Sequence, residues 1–153
     1  MLYKDTFVKT DLGVMPIESV KEGDKVMCFD GNYRTVICNK RITDNYIFDI
    51  ALHDGETIHL GSGASLLVKS LQDNIPIKSI VRVSPDALSK HLYICYKDSW
   101  DATLYNSKIN YQHNYILTYD DFYELELADT SSDPINNLIE AHFKYSDKSI
   151  FVS

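Results

Sequence analysis

The side chains with the most chemistry to offer here are three cysteines, Cys28, Cys38 and Cys95, and the histidines His59, His91, His113 and His142. A reactive cysteine needs a depressed pKa, supplied by a nearby cation, a paired imidazole or a helix start. Cys95 has a cation in Lys97, two residues on and so on the same face of an extended segment. With no helix start or paired histidine beside it, Cys95 reads as an inert strand thiol. Cys28 and Cys38 flank a turn, and none of the cysteines forms a CxxC pair. An odd number of thiols without that motif predicts free cysteines in a reducing compartment, not a disulfide framework or a zinc site. The histidines lack metal-ligand spacing, which leaves them surface and element-face roles. Gly61-Ser62-Gly63 is not a phosphate loop, because the Leu66-Leu67-Val68 that follows reads as strand where such a loop needs a helix. Neither a cofactor nor a metal is expected.

Strands must carry these groups, because strand signals dominate the chain. Thr6–Thr10 is a short extended run ending at Asp11-Leu12-Gly13. Lys25–Phe29 runs into Asp30-Gly31-Asn32 and continues as Tyr33–Cys38, while Tyr46–Leu52, Asp54-Gly55 and Glu56–Leu60 repeat the pattern. Asp-Gly between two such runs predicts a hairpin, since Gly accepts the positive φ of a tight turn. Leu66–Lys69, His91–Tyr96, Tyr115–Thr118, Phe122–Leu127 and Ser149–Ser153 also read as strands. Ser84-Pro85 opens a helical turn or two over 84–90, and Asp133-Pro134 opens the best helix, Asp133–Phe143, with Ile135, Leu138 and Ile139 on one face. Residues 97–114, the most polar and least periodic part, are expected to form a long loop or small insertion.

Composition narrows the function classes. At 153 residues the chain suits one domain with a substantial core. A net charge of −7, spread along the sequence, argues against the basic footprint that nucleic-acid binding requires. No apolar run reaches membrane-spanning length, and the first ten residues, with Lys4, Asp5 and Lys9, lack the apolar centre of a secretory signal. Eleven tyrosines favour a half-buried pleated surface. The expectation is a monomeric, mostly-β domain over 1–153 in the cytoplasm, without nucleic-acid or membrane partners.

Four segments, in order, resemble the sequence blocks of inteins and the wider Hint (hedgehog/intein) family. Leu2 through Val26 is similar to the family's opening, with Asp5-Thr6 and Gly23-Asp24 the recognisable parts. Asp54 through Val68 resembles the Gly turn, strand and Thr-x-x-His stretch; Phe122–Leu127 resembles the late Tyr-Asp-Leu-x-Val strand; Tyr145–Ser153 looks like the closing strand that runs into His-Asn. The chain has the size of a mini-intein without a homing endonuclease. The resemblance implies a pseudo-symmetric β horseshoe of many short strands with one or two short helices. It also implies self-catalysed protein splicing, the flanking polypeptide segments (exteins) being the partners.

Splicing of that kind needs a thiol or hydroxyl at the first position, an imidazole to protonate the departing nitrogen, and a terminal Asn that cyclises. By the resemblance the nucleophile position falls on Met1, the Thr on Gly61, the His on Ala64, the late-strand Asp on Glu124 and the penultimate His on Ser153. A thioether has no proton to lose, and neither Gly61 nor Ala64 can donate one. Glu124 keeps the carboxylate, Ser153 keeps hydrogen-bonding capacity, and no Asn follows within the sequence. The expectation is a splicing framework that is inactive as it stands. Met1 and Ala64 are then either deliberate replacements or a natural loss of splicing on a retained scaffold, and the intact Gly23-Asp24 and Asp-Gly turns favour the former. The alternative is a non-catalytic β-rich binding or structural module. One departure from the family is the Ala128–Lys144 connection, where the helix reads as an insertion near the junction.

Overall fold

The computed structural model describes residues 1–72, 75–84, 92–110 and 119–153. Its strands, in chain order, are β1 (Leu2–Tyr3), β2 (Phe7–Thr10), β3 (Gly13–Pro16), β4 (Lys25–Met27), β5 (Tyr33–Asp44), β6 (Ile47–Leu52) and β7 (Thr57–Gly61). They continue with β8 (Ser65–Gln72), β9 (Ile75–Arg82), β10 (Leu92–Tyr96), β11 (Ser99–Asn110), β12 (Tyr119–Leu127), β13 (Ile139–His142) and β14 (Ser149–Val152). The helices among the described residues are two single 3-10 turns, Ile17–Ser19 and Pro134–Asn137. The mostly-β expectation holds.

Among the described residues all strand pairings are antiparallel, and they form one path: β10-β11-β6-β7-β1-β12-β5-β4-β2-β13-β14-β8-β9, with β3 on the side of β2. A further pairing of β10 with β8 closes the path on itself. Neighbours in this circuit are often distant in sequence, so alternate residues of remote strands face one interior. Val8, Val26, Ile50, Leu60, Leu66 and Val152 meet there, all essentially inaccessible to solvent. A smaller apolar cluster of Leu67, Cys95, Leu138 and Phe151 lies beside it.

Local chemistry explains the tight hairpins. Between β4 and β5, Gly31 adopts φ 82° and the Asp30 carboxylate accepts from the Asn32 N–H at 3.2 Å. Between β6 and β7 the same device recurs, with Gly55 at φ 94° and Asp54 accepting from the Glu56 N–H at 3.1 Å. In each turn the Asp satisfies a backbone donor that the reversal leaves unpaired, and the Gly supplies the left-handed backbone.

Two sequence expectations fail. The helix over Asp133–Phe143 is a single turn: Asp133 caps it by accepting from Ile135 N–H at 3.1 Å and Pro134 opens it, but the chain is extended again at Leu138. The Asn137 side chain competes with helix continuation, bonding both the N–H and the C=O of Ser131 at 2.8 Å. Ile139, Glu140 and Ala141 are then consecutively buried in β13, a strand flanked by β14 and β2. The Ala128–Lys144 connection is therefore a strand of the sheet rather than a helical insertion. The second failure is the loop expected over 97–114: Ser99–Asn110 is β11, paired with β10 and β6, and 111–114 lie outside the described residues. The helical turn expected over 84–90 and the strand Tyr115–Thr118 also lie outside them, save Ser84.

Candidate functional site

Strand β1 occupies the middle of the sheet, with Leu2 opposite Tyr123 of β12 on one side and Leu60 of β7 on the other. Strand β14 is buried at every residue, held between β13 and β8, with Val152 opposite both Ile139 and Leu66. Those two placements bring the residues at either end of the sequence together. The Met1 nitrogen donates to the Ser153 carbonyl at 3.2 Å. Ser153 is fixed in turn by reciprocal backbone bonds with Ser65, both 3.0 Å.

The turn from β7 to β8 packs against this junction. Gly61 N–H donates to the Met1 carbonyl at 3.1 Å, and Ala64 N–H closes the turn onto the Gly61 carbonyl at 3.2 Å. Val83 locks it from outside, accepting from Gly63 N–H at 3.1 Å and donating to the Ala64 carbonyl at 2.7 Å. Ala64 is fully buried in the main core. At Gly61 a Cβ would lie 3.0 Å from two ring carbons of Phe122 and 3.1 Å from the Met1 Cβ. Glycine at this position is what allows the fully buried Phe122 ring and Met1 to close over the turn.

Glu124, exposed on β12, lines a cleft of about 120 Å³ together with Leu2, Tyr123, Leu125, Ile139 and Ser153. Met1, Gly61, Ala64, Glu124 and Ser153 thus converge on one locality, the first three and Ser153 linked by main-chain hydrogen bonds. Electrostatics at its centre are opposed. Burial pulls the Met1 amine below the usual range, while the carboxylates of Glu124 and then Asp44 favour its charged form; burial prevails. Asp44, at the end of β5, also accepts from Ser62 N–H at 3.0 Å. Sequence reasoning missed Asp44 and Phe122: Thr43-Asp44-Asn45 carries the signal of a turn, and Phe122 reads as an ordinary inward strand residue.

The remaining candidates lie elsewhere. His59 faces its cross-strand neighbour Asp49, Nδ1 to Oδ1 at 2.5 Å, and lines a larger open cleft of about 480 Å³ with Tyr3, His142 and Tyr145. His142 is tied to the buried Glu140 at 2.9 Å. His91 and His113 lie outside the described residues. The thiols are free: burial pushes Cys28 and Cys95 up, and Lys97 pairs with Glu140 at 3.6 Å instead of activating Cys95. Among the described residues no three His, Cys, Asp or Glu side chains converge on a metal-sized site, and no helix is long and apolar enough to cross a membrane.

The strands form a closed antiparallel circuit that brings residues 1 and 153 into contact. The fold is that of the intein domains, as comparison with solved structures shows. An intein-like domain from Clostridium thermocellum superposes with TM-score 0.67 at 15% identity, over 99% of this chain and 96% of that one. A splice-inactive variant of the AceL NrdHF class 3 split intein gives TM-score 0.60 at 13% identity over 98% and 95%. The MchDnaB-1 intein gives 0.59 at 12% identity over 92% of each chain. No protein-family model and no curated protein matches the sequence.

Proposed function

We propose that residues 1–153 form one intein-like splicing domain whose reactive groups are absent, its partners being polypeptide segments joined at Met1 and Ser153. The contact of the Met1 nitrogen with the Ser153 carbonyl at 3.2 Å carries this reading. Two segments attached at those points emerge side by side, which brings reacting groups to within bonding reach and lowers the entropic barrier to joining them. Glu124 supplies a carboxylate beside the first nitrogen. The Met1 thioether cannot form an ester with a preceding carbonyl, and the Ala64 methyl cannot protonate a departing amine, so the chain does not splice. It acts as a monomer and needs no metal or cofactor.

The test is to place the domain between two reporter proteins, with Met1→Cys and Ala64→His and with Asn and a Ser, Thr or Cys after Ser153. Ligated reporters, or release of either one, support the proposal. A folded, soluble precursor that neither cleaves nor ligates overturns it.

A second reading is favoured by Phe122. Its ring fills the space a Thr side chain at Gly61 would need, so the site is repacked as well as stripped. That fits a natural scaffold which lost splicing and kept its fold as a non-catalytic module better than the replacement of single reactive residues. Failure of the restored domain to react, with recovery on shrinking Phe122, selects this history.

A further inference from the structure

Asp44 ends β5, and its carboxylate gathers three backbone donors. Oδ1 accepts from Asn45 N–H at 2.6 Å and Tyr46 N–H at 3.2 Å, and Oδ2 accepts from Ser62 N–H at 3.0 Å. The first two bonds shape the β5–β6 turn. The third reaches across to the β7–β8 turn, one residue beyond the Gly61 N–H that holds the Met1 carbonyl. The same carboxylate acts electrostatically on the Met1 nitrogen, alongside Glu124 on β12.

We propose that Asp44 is a positioning residue of the junction site. It holds the Gly61–Ala64 turn over Met1 and lends its negative charge, beside that of Glu124, to the nitrogen of residue 1. This rests on the splicing reading above. With a Cys at position 1 and a segment before it, the thiol sulfur bonds to the preceding carbonyl carbon and the C–N bond breaks. The thiol proton ends on the nitrogen, which becomes an amine. That amine gains positive charge as it leaves, and an imidazole is the usual proton source. Ala64 offers none. The two carboxylates stabilise the charged nitrogen instead, and Asp44, half-buried with both oxygens held by backbone donors, is the one preorganised for this.

The experiment compares Asp44→Asn and Asp44→Glu in two settings. In a Met1→Cys fusion carrying a preceding reporter, thiol-induced release is expected to slow about tenfold in Asp44→Asn, the scale of one partly screened charge. Asp44→Glu is expected to restore most of the rate. In the 153-residue chain itself, the Met1 amine is followed by the pH dependence of its reductive methylation. Asp44→Asn is expected to move that titration to lower pH, because removing a carboxylate disfavours the ammonium. Unchanged release together with an unchanged amine titration overturns the proposal. If the Met1→Cys fusion releases nothing whatever stands at 44, the carboxylates do not stand in for the missing imidazole and that part of the proposal fails, while the splicing reading stands or falls with the Met1→Cys, Ala64→His fusion described above. The amine titration then still decides Asp44: a downward shift upholds its electrostatic role, and none removes it. A merely structural role would lower the melting temperature of both variants without moving the amine titration.

Discussion

Met1 and Ser153 lie 152 positions apart in the chain and touch, the nitrogen of one 3.2 Å from the carbonyl oxygen of the other. Neither end reaches this point on its own. Met1 is delivered by β1, clamped between β7 and β12, and Ser153 by β14, clamped between β13 and β8. The contact therefore reports on the whole circuit, and perturbations in several strands should register there.

Gly61 is the tightest point of that locality. Gly61→Thr puts a Cβ at 3.0 Å from the Phe122 ring, and overpacking of a filled core costs about 1–3 kcal/mol. Phe122→Leu alone is expected to destabilise by leaving a cavity. Combined, the two substitutions are expected to cost less than the sum of their separate effects, because the room lost by one is returned by the other. Urea unfolding of the four proteins in a double-mutant cycle measures the coupling, and strict additivity would mean that the two positions do not compete for space.

Ala64→His tests the neighbouring position. Ala64 is fully buried and its carbonyl is held by Val83 N–H at 2.7 Å, so an imidazole must displace core atoms or swing the turn. A loss of about 1–3 kcal/mol is expected in thermal or urea unfolding. An Ala64→His protein as stable as the parent would show space for the imidazole, and with it a site ready for chemistry.

What the sequence made legible divides by range. The Asp30-Gly31 and Asp54-Gly55 hairpins were readable because their chemistry is complete within four residues: a carboxylate for a stranded N–H and a glycine for positive φ. The convergence of Met1, Gly61, Ala64, Glu124 and Ser153 depends on strand pairings that no local pattern encodes, and only the family resemblance pointed to those positions. The helix over Asp133–Phe143 was misread because Asp133 and Pro134 are real start signals, while the stop comes from Asn137 bonding to Ser131 and from strand partners remote in sequence. In β11, Trp100, Ala102 and Leu104 alternate with Asp101 and Thr103 at strand period, but the polar residues beyond them hid a strand behind a loop-like composition.

The Asp30–Arg34 pair gives the fold a signature in acid. Arg34, almost wholly buried, bonds both Asp30 oxygens at 2.9 and 2.7 Å and reaches the Asp129 and Asn136 carbonyls at 3.2 and 3.0 Å. The Arg34 guanidinium, with Asn32, holds the Asp30 carboxyl well below the usual carboxylate range. A depressed folded pKa contributes stability that is present above the unfolded value, 3.8, and is lost as pH falls below it towards the folded one. Between about pH 4 and pH 2 the parent should therefore lose stability more steeply than Asp30→Asn, as urea midpoints along that range will show. Arg34→Ala, which strips the Asp129 and Asn136 carbonyls of their buried donor, is expected to cost about 1–3 kcal/mol.

Tyr96, Asp54 and Lys148 tie the β6–β7 turn to the segment that enters β14, and so bear on where Ser153 is held. The Tyr96 hydroxyl donates to Asp54 Oδ2 at 2.5 Å, and Lys148 Nζ donates to the same oxygen at 2.7 Å while lying 5.2 Å from the Tyr96 ring centroid. Burial, then the hydrogen bond to Asp54, pushes the Tyr96 phenol far above the ordinary tyrosine range. In an alkaline absorbance titration Tyr96 should remain un-ionised well above the ordinary tyrosine range, and Tyr96→Phe should remove that late component. Tyr96→Phe removes one hydrogen bond without leaving a hole, at a cost of about 1 kcal/mol. Asp54→Ala is the harsher change, because it strands the hydroxyl and the Glu56 N–H as well as releasing Lys148. If the tie steadies the junction, Asp54→Ala should speed amide exchange over Ile150–Ser153 under native conditions, beyond what its loss of global stability explains. Exchange that rises equally in all strands would assign the triad to general stability and leave β14 to be held by β13 and β8 alone.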